Sequence, residues 1–413
     1  MMYGILLLWA AGFLVLPSVH LAIPAILSIA GICLARKAAL QSPITDPALK
    51  TSWCALLVGF AAYAVTGLLL NVYHGDTDPG AYERLLPFLI LPALGWTIRA
   101  VGRSADAFIA ALGLGGFLAG ASAIQDLILS PDLRAEGATG NAIKFGNGAV
   151  LVACCCLLAA QLFPFRRNAI VWRLALLAAA AAAVLASFLS GSKGGWIALI
   201  FLALVAAYNL GRNRNLLQRS AVAVGALAVF VIAGLLAPAS LVRDRIKEGI
   251  DGAAIWFNTD GAVTEGSVSL RFKLWELGYT IFTENPLAGA GVIGKSERWN
   301  ELVSVDPARD FIGTNTSAHN DFIEVLSEGG VIGATGLALS YLGVWLAFWR
   351  WRHHHDPAVL ALARMGLMLV PLYLAFGMTV SVAGINFFRS LFLGFSVALL
   401  AFITVQLSKS KAD

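Results

Sequence analysis

Charge is what this sequence has least of. Asp, Glu, Lys and Arg make up 13% of its 413 residues, about half the roughly 25% of a soluble globular chain. Hydrophobic residues reach 59%, and the mean hydropathy is +0.78. Such a composition excludes a water-soluble enzyme, a coiled coil and a disordered scaffold, and predicts a polytopic membrane protein. Proline is scarce, at 14 residues against 41 glycines, so the apolar stretches read as helices rather than the alternating strands of an outer-membrane barrel. Cysteine is scarce too. Cys33, Cys54, Cys154, Cys155 and Cys156 all lie within apolar runs, which implies no disulfide framework. The triplet makes no zinc site alone, because adjacent helical residues point about 100° apart. The first seventeen residues, MMYGILLLWAAGFLVLP, lack a basic n-region and a small-residue cleavage site, and are expected to persist as a helix.

What is present is a succession of apolar runs. A bilayer core about 30 Å thick takes roughly 20 apolar residues per helix. That ruler gives about twelve spans, near 3–17, 18–34, 53–73, 85–99, 106–127, 146–164, 172–189, 195–210, 220–238, 330–349, 359–382 and 390–407. With the N-terminus cytoplasmic, inner segments hold 16 basic and 4 acidic residues, and outer segments 13 basic and 20 acidic. This bias puts both termini in the cytoplasm. It also explains the net charge of +5 as short topology-setting clusters rather than a nucleic-acid surface. The chain divides into a bundle over 1–238, an extracytoplasmic segment over 239–329 with two apparent amphipathic helices, and a second bundle over 330–413. A connector of that length should carry function.

Six histidines occur. His353, His354 and His355 adjoin Arg350 and Arg352 and read as an interfacial topology signal, while His20 and His74 read as structural. His319 differs. It precedes apolar positions 322, 323 and 326 at helical spacing, and Ser317 is a plausible N-cap, which would put His319 in the first helical turn. A helix dipole there disfavours imidazolium and keeps the ring able to accept a proton. Gly289-Ala290-Gly291-Val292-Ile293-Gly294 satisfies a dinucleotide-binding pattern. The preceding stretch, however, is helical in pattern rather than a strand, so close turns are the sufficient explanation.

His319-Asn320, nine intervening residues, Gly330, two more and Gly333 resemble the His-[Asn/Ser/Gln]-x9-Gly-x-x-[Gly/Thr/Tyr] signature of the O-antigen ligase family. Ser190-Gly191-Ser192-Lys193-Gly194-Gly195 is similar to that family's Ser-x-Ser-Arg-Gly element, with Lys193 where Arg is usual. Arg271, followed by Asn285-Pro286-Leu287-Ala288-Gly289-Ala290-Gly291, resembles its Arg-then-Asn-Pro-x-x-Gly-x-Gly element. The resemblance implies an all-α, GT-C-like membrane glycosyltransferase of the bacterial inner membrane. Its donor would be an undecaprenyl-diphosphate-linked glycan and its acceptor lipid A–core, meeting at the periplasmic face without metal or other cofactor.

In that scheme His319 and Arg271 are the catalytic candidates. Lys193, Arg243, Arg245 and Asn320 are candidate ligands of the donor diphosphate. Arg84 and Arg389, near outer span ends, are weaker ones that read first as structural. Lysine neutralises a phosphate but lacks the planar fork of arginine. Direct attack of an acceptor hydroxyl on the anomeric carbon would invert its configuration. An O-antigen polymerase or a protein O-oligosaccharyltransferase would share the donor; the His-Asn motif favours a ligase, and the absence of a C-terminal soluble domain argues mildly against the protein-modifying branch. A transporter should instead show repeat-related halves or ionisable groups near mid-membrane, whereas the charges here cluster at the faces.

Overall fold

The computed structural model describes residues 1–130, 134–165, 168–211, 239–258 and 267–410, with the side chains of 205–211, 239–246 and 267 left out of that description. Helices are the only regular elements among these residues. The chain begins with α1 (Met2–Gly12), α2 (Val19–Gln41) and α3 (Pro47–His74). The first helix stops five residues short of the expected 3–17, and Ser18 turns the chain with a left-handed φ of 59° before α2. Asp46 opens α3 by accepting a hydrogen bond from Ala48 N at 2.8 Å, the usual role of an N-cap carboxylate.

The expected span at 85–99 is broken. It consists of α4 (Pro79–Glu83), α5 (Leu86–Ile90), a 3-10 turn over Leu91–Ala93 and α6 (Leu94–Val101). Pro87 and Pro92 lack the N–H that a continuous helix needs there. The chain continues with α7 (Asp106–Leu129), α8 (Ala142–Leu162), α9 (Ala169–Ser190) and α10 (Lys193–Gly211). Next come α11 (Ala239–Asn258), α12 (Ser267–Glu284), α13 (Val292–Val305) and the short α14 (Arg309–Ile312). The segment thus holds more helices than the two expected from its amphipathic pattern. Finally α15 (Asp321–Trp349), α16 (Pro357–Gly377) and α17 (Asn386–Lys409) complete the chain.

Among the described residues, nine helices are long and apolar enough to cross a membrane, counting Pro79–Val101 as one; α1 and Lys193–Leu204 are apolar but shorter. The expected span at 220–238 lies outside the described residues. The helix α17 is enclosed along nearly its whole length, packing on α2, α6 and α16. Phe395 and Phe402 of α17 meet Trp9 of α1 and Phe108 of α7 in tilted ring contacts. Peripheral helices show the reverse: Ile26, Ile29 and Ile32 on α2 and Leu174 on α9 are exposed. Such side chains suit a lipid environment, where no water has to be ordered around them. Cys154, Cys155 and Cys156 are buried in α8, while Cys33 and Cys54 are on exposed sides of α2 and α3.

At one end of the bundle a second, smaller core forms. Leu274, Leu277 and Ile281 of α12 pack with Trp299 of α13, Ile312 of α14 and Ala318. This miniature core places the loop 313–320 directly before α15. It is the scaffold on which His319 is carried.

Candidate active site

The glycines of the two motifs turn out to be halves of one clamp. Helix α15 is interrupted at Gly330, whose φ of 59° and ψ of −157° are not helical. An uninterrupted helix would bond Val331 N to Ser327 O and Ile332 N to Glu328 O. Here those four groups turn to the loop after α12 instead. Ala290 N donates to Ser327 O at 3.0 Å, and Gly291 N to Glu328 O at 2.9 Å. In return Val331 N donates to Pro286 O at 2.9 Å, and Ile332 N to Leu287 O at 3.1 Å. The loop is spliced into the helix ladder, so these four backbone groups keep partners across the break. Side chains are excluded at the crossing: a Cβ on Gly289 would lie 2.4 Å from the Glu328 carbonyl carbon, and one on Gly330 2.4 Å from that of Leu287.

The C-terminal end of α3 and the residues just after it fix the other side of this loop. Asp76 is buried and accepts from Val292 N at 3.0 Å and Ile293 N at 3.2 Å, capping α13 from a distant part of the chain. His74 Nε2 lies 2.9 Å from Ala288 O, a structural use. Arg84 pairs with Glu328 at 2.6 Å. Arg389 donates to Ala383 O at 2.7 Å and to Asn386 Oδ1. Both of these weaker candidates thus make contacts that join helix ends.

His319 does not sit in a first helical turn. It precedes the helix with a left-handed φ of 49°. The cap is Asn320, whose Oδ1 accepts from Phe322 N at 3.0 Å and Ile323 N at 3.3 Å. Ser317 is not the cap, because its hydroxyl donates to Glu324 Oε2 at 3.1 Å. The same carboxylate oxygen accepts from Ala318 N at 2.8 Å. Glu324 Oε1 takes Lys295 Nζ at 2.7 Å, and Lys295 also donates to Thr316 O at 2.7 Å. With side chains only 5% and 11% exposed, this is a buried ion pair; removing one partner of such a pair typically costs about 3–5 kcal/mol. Trp299 Nε1 donates to Asn315 O at 2.8 Å. The His319 loop is thus tied down on both sides.

Burial, then the charges of Arg271 and Lys295, push the His319 pKa below its ordinary value. The neutral ring expected from the helix dipole is thus favoured by other causes. Arg271 projects from the first turns of α12. Burial lowers its pKa, and Glu248 of α11 works in the opposite direction. Glu248 also lies 3.9 Å from Lys193 Nζ, which links three of the expected residues, Lys193, Arg271 and His319, in one neighbourhood. Lys193 begins α10 after a tight turn in which Ser192 Oγ donates to Asn147 Oδ1 at 2.7 Å. A Cβ on Gly194 would lie 2.2 Å from Thr379 Oγ1, so the glycine admits α10 beside the loop that follows α16. Arg243 and Arg245 belong to α11, and their side chains lie outside the described residues. Among the described residues no three His, Cys, Asp or Glu side chains are grouped as a metal ion would require.

Residues 178–338 match the family model described as O-antigen ligase. No curated protein matches the chain. The ligase-family segment includes Lys193, Arg271, His319 and both halves of the glycine clamp. Three supporting residues were not legible beforehand. Lys295 resembled any other outer cation, Glu324 any carboxylate of an early helical turn, and Asp76 a solvated loop residue. Only the fold brings them to the site.

Proposed function

We propose that this membrane glycosyltransferase of the O-antigen ligase type moves a glycan from undecaprenyl diphosphate to a sugar hydroxyl of lipid A–core at the periplasmic face of the inner membrane. The observation that carries the reading is a half-buried histidine, its pKa lowered by burial and then by the neighbouring Arg271 and Lys295, in a loop fixed by a buried ion pair. A sugar hydroxyl is a poor nucleophile until its proton has somewhere to go, and His319 provides the acceptor. The hydroxyl oxygen bonds to the anomeric carbon as the carbon–oxygen bond to the diphosphate breaks. The electron pair leaves with the diphosphate. Arg271, with its planar fork, and Lys193, as a point charge, meet the negative charge that develops there. Arg243 and Arg245 on α11 are further cations for the same group. Attack from the face opposite the leaving group inverts the anomeric configuration, and no divalent ion is assigned a part.

Asn320 caps α15 through its Oδ1, which leaves its Nδ2 as the group that donates to a phosphate oxygen. Both substrates are amphiphiles, so a site at the end of a helical bundle lets their lipid tails remain in the bilayer. Lipopolysaccharide from a strain lacking this protein tests the reading. Core devoid of O-antigen is expected. A single repeat unit attached to core would indicate a polymerase instead, and an unchanged ladder would refute both.

A further inference from the structure

We propose that Asn315 is a positioning residue that fixes the tautomer of His319, with the proton on Nε2, and so makes Nδ1 the atom that accepts the proton of the sugar hydroxyl. This inference rests on the base assignment above and adds to it which nitrogen acts and what selects it.

The argument is one of donors and acceptors. His319 Nε2 lies 3.1 Å from Asn315 Oδ1. An amide could in principle present either its oxygen or its nitrogen to the ring, and the surrounding hydrogen bonds decide which. Here the Asn315 Nδ2 donates to Ile312 O at 2.7 Å. Turning the amide over would set its oxygen against the Ile312 carbonyl, two acceptors facing each other. The oxygen therefore faces the histidine, and an amide oxygen only accepts. Nε2 must carry the hydrogen. A neutral imidazole has one N–H, so the lone pair resides on Nδ1. No hydrogen bond to Nδ1 is present among the described residues.

Asn315 is itself held in place. Its backbone N–H donates to Ile312 O at 3.1 Å and its carbonyl accepts from Trp299 Nε1 at 2.8 Å. Ile312 and Trp299 are members of the small core formed by α12, α13 and α14. On the other side of His319, Ala318 N and Ser317 Oγ are bound by Glu324. The ring is thus gripped by its own backbone and by one side-chain acceptor.

The chemistry balances. The hydroxyl proton passes to Nδ1 as oxygen bonds to the anomeric carbon and the diphosphate leaves with its electron pair. The resulting imidazolium still donates Nε2–H to Asn315, then returns its added proton to solvent. A neutral amide suits this step better than a carboxylate. It orients the ring without raising its basicity, so the ring remains unprotonated beside Arg271 of α12 and Lys295 of α13. Glu324 of α15 is committed to Lys295, and Glu248 of α11 acts on Arg271 and Lys193.

The test is the pH profile of kcat/KM for Asn315→Asp and Asn315→Leu in the full membrane protein. A carboxylate next to Nε2 favours imidazolium, and an opposite charge at such a distance moves a pKa by about 1–3 units. The acidic limb of Asn315→Asp is therefore expected about 1–3 pH units higher than in the unaltered protein, with activity recovering at higher pH. Asn315→Leu is expected to lower kcat by about tenfold or more with KM little changed, because the wrong tautomer becomes accessible. A limb that stays where it was in Asn315→Asp, or unchanged kcat in Asn315→Leu, would overturn the proposal. His319→Ala separates the two readings: if the limb vanishes there, the base assignment stands whatever Asn315 does, and if it persists, that assignment fails first. Should a variant misfold, nitrogen spectra of histidine-labelled unaltered protein, assigned by the signal lost in His319→Ala, decide the matter. Protonated Nε2 with bare Nδ1 supports the proposal, and the reverse refutes it.

Discussion

At the scale of single residues, the site asks its cations to do two things. In the proposed reaction Arg271 meets negative charge leaving with the diphosphate, and in the structure it adds, with Lys295, to the burial that depresses the pKa of the neighbouring histidine. On that proposal the cations that stabilise the leaving group also help burial to keep the base unprotonated. Replacing Arg271 by lysine keeps the charge and loses the fork. The Arg271→Lys variant is expected to fall at least tenfold in kcat/KM for the lipid-linked donor, measured on inserted protein with donor binding assayed separately. Full activity would mean that charge alone suffices at this position. His319, Arg271 and Lys193 stand out in the sequence because each belongs to a patterned motif, and the fold brings the three near one another. The cap was not legible. Ser317 and Asn320 are both capping types, and the choice between them depends on Glu324 reaching back to take the Ser317 hydroxyl and the Ala318 N–H. Lys295 was illegible for a similar reason: its partner is 29 residues away, and nothing local distinguishes a buried lysine from a solvated one.

At the scale of elements, the decisive feature is the loop 285–291 inserted into the ladder of α15 at Gly330. The glycines were readable as turn formers, but their pairing was not, since it joins stretches some forty residues apart through backbone groups alone. Adding a methyl at Gly330 puts a side chain at φ 59° and ψ −157°, a region essentially reserved for glycine and costing about 1–3 kcal/mol, together with overlap against the Leu287 carbonyl. Gly330→Ala should therefore lower the Tm in detergent by several degrees and remove most ligation. Gly294 provides the contrast, because its added Cβ would meet only Ala290 Cβ at 3.9 Å. Gly294→Ala is expected to behave as the unaltered protein does. Equal tolerance at both positions would contradict the clamp. The stretch Pro79–Val101 is apolar enough to count as a span, as the hydropathy ruler expected. Its hydrogen bonding is nevertheless interrupted at Pro87 and Pro92, which a hydropathy ruler does not register.

At the scale of the whole molecule, the apolar composition, the helical bundle and the long polar segment between its two parts follow from one requirement, that backbone groups inside a bilayer be satisfied within helices. Orientation rests on the charge bias of the loops. Ser304 is exposed on α13, and Ser304→Cys in a cysteine-free background is expected to react with an impermeant maleimide on intact spheroplasts. Labelling only after lysis would reverse the topology.

The most direct measurement reconstitutes the purified protein in liposomes with lipid-linked glycan, rough lipopolysaccharide and excess EDTA, and follows glycan-bearing lipopolysaccharide over time. The unaltered protein is expected to form product with chelator present, and His319→Ala to lose about 10²- to 10⁴-fold in rate while still binding donor. Near-normal turnover by His319→Ala, or no product from the unaltered protein unless a divalent metal is restored, would contradict the account.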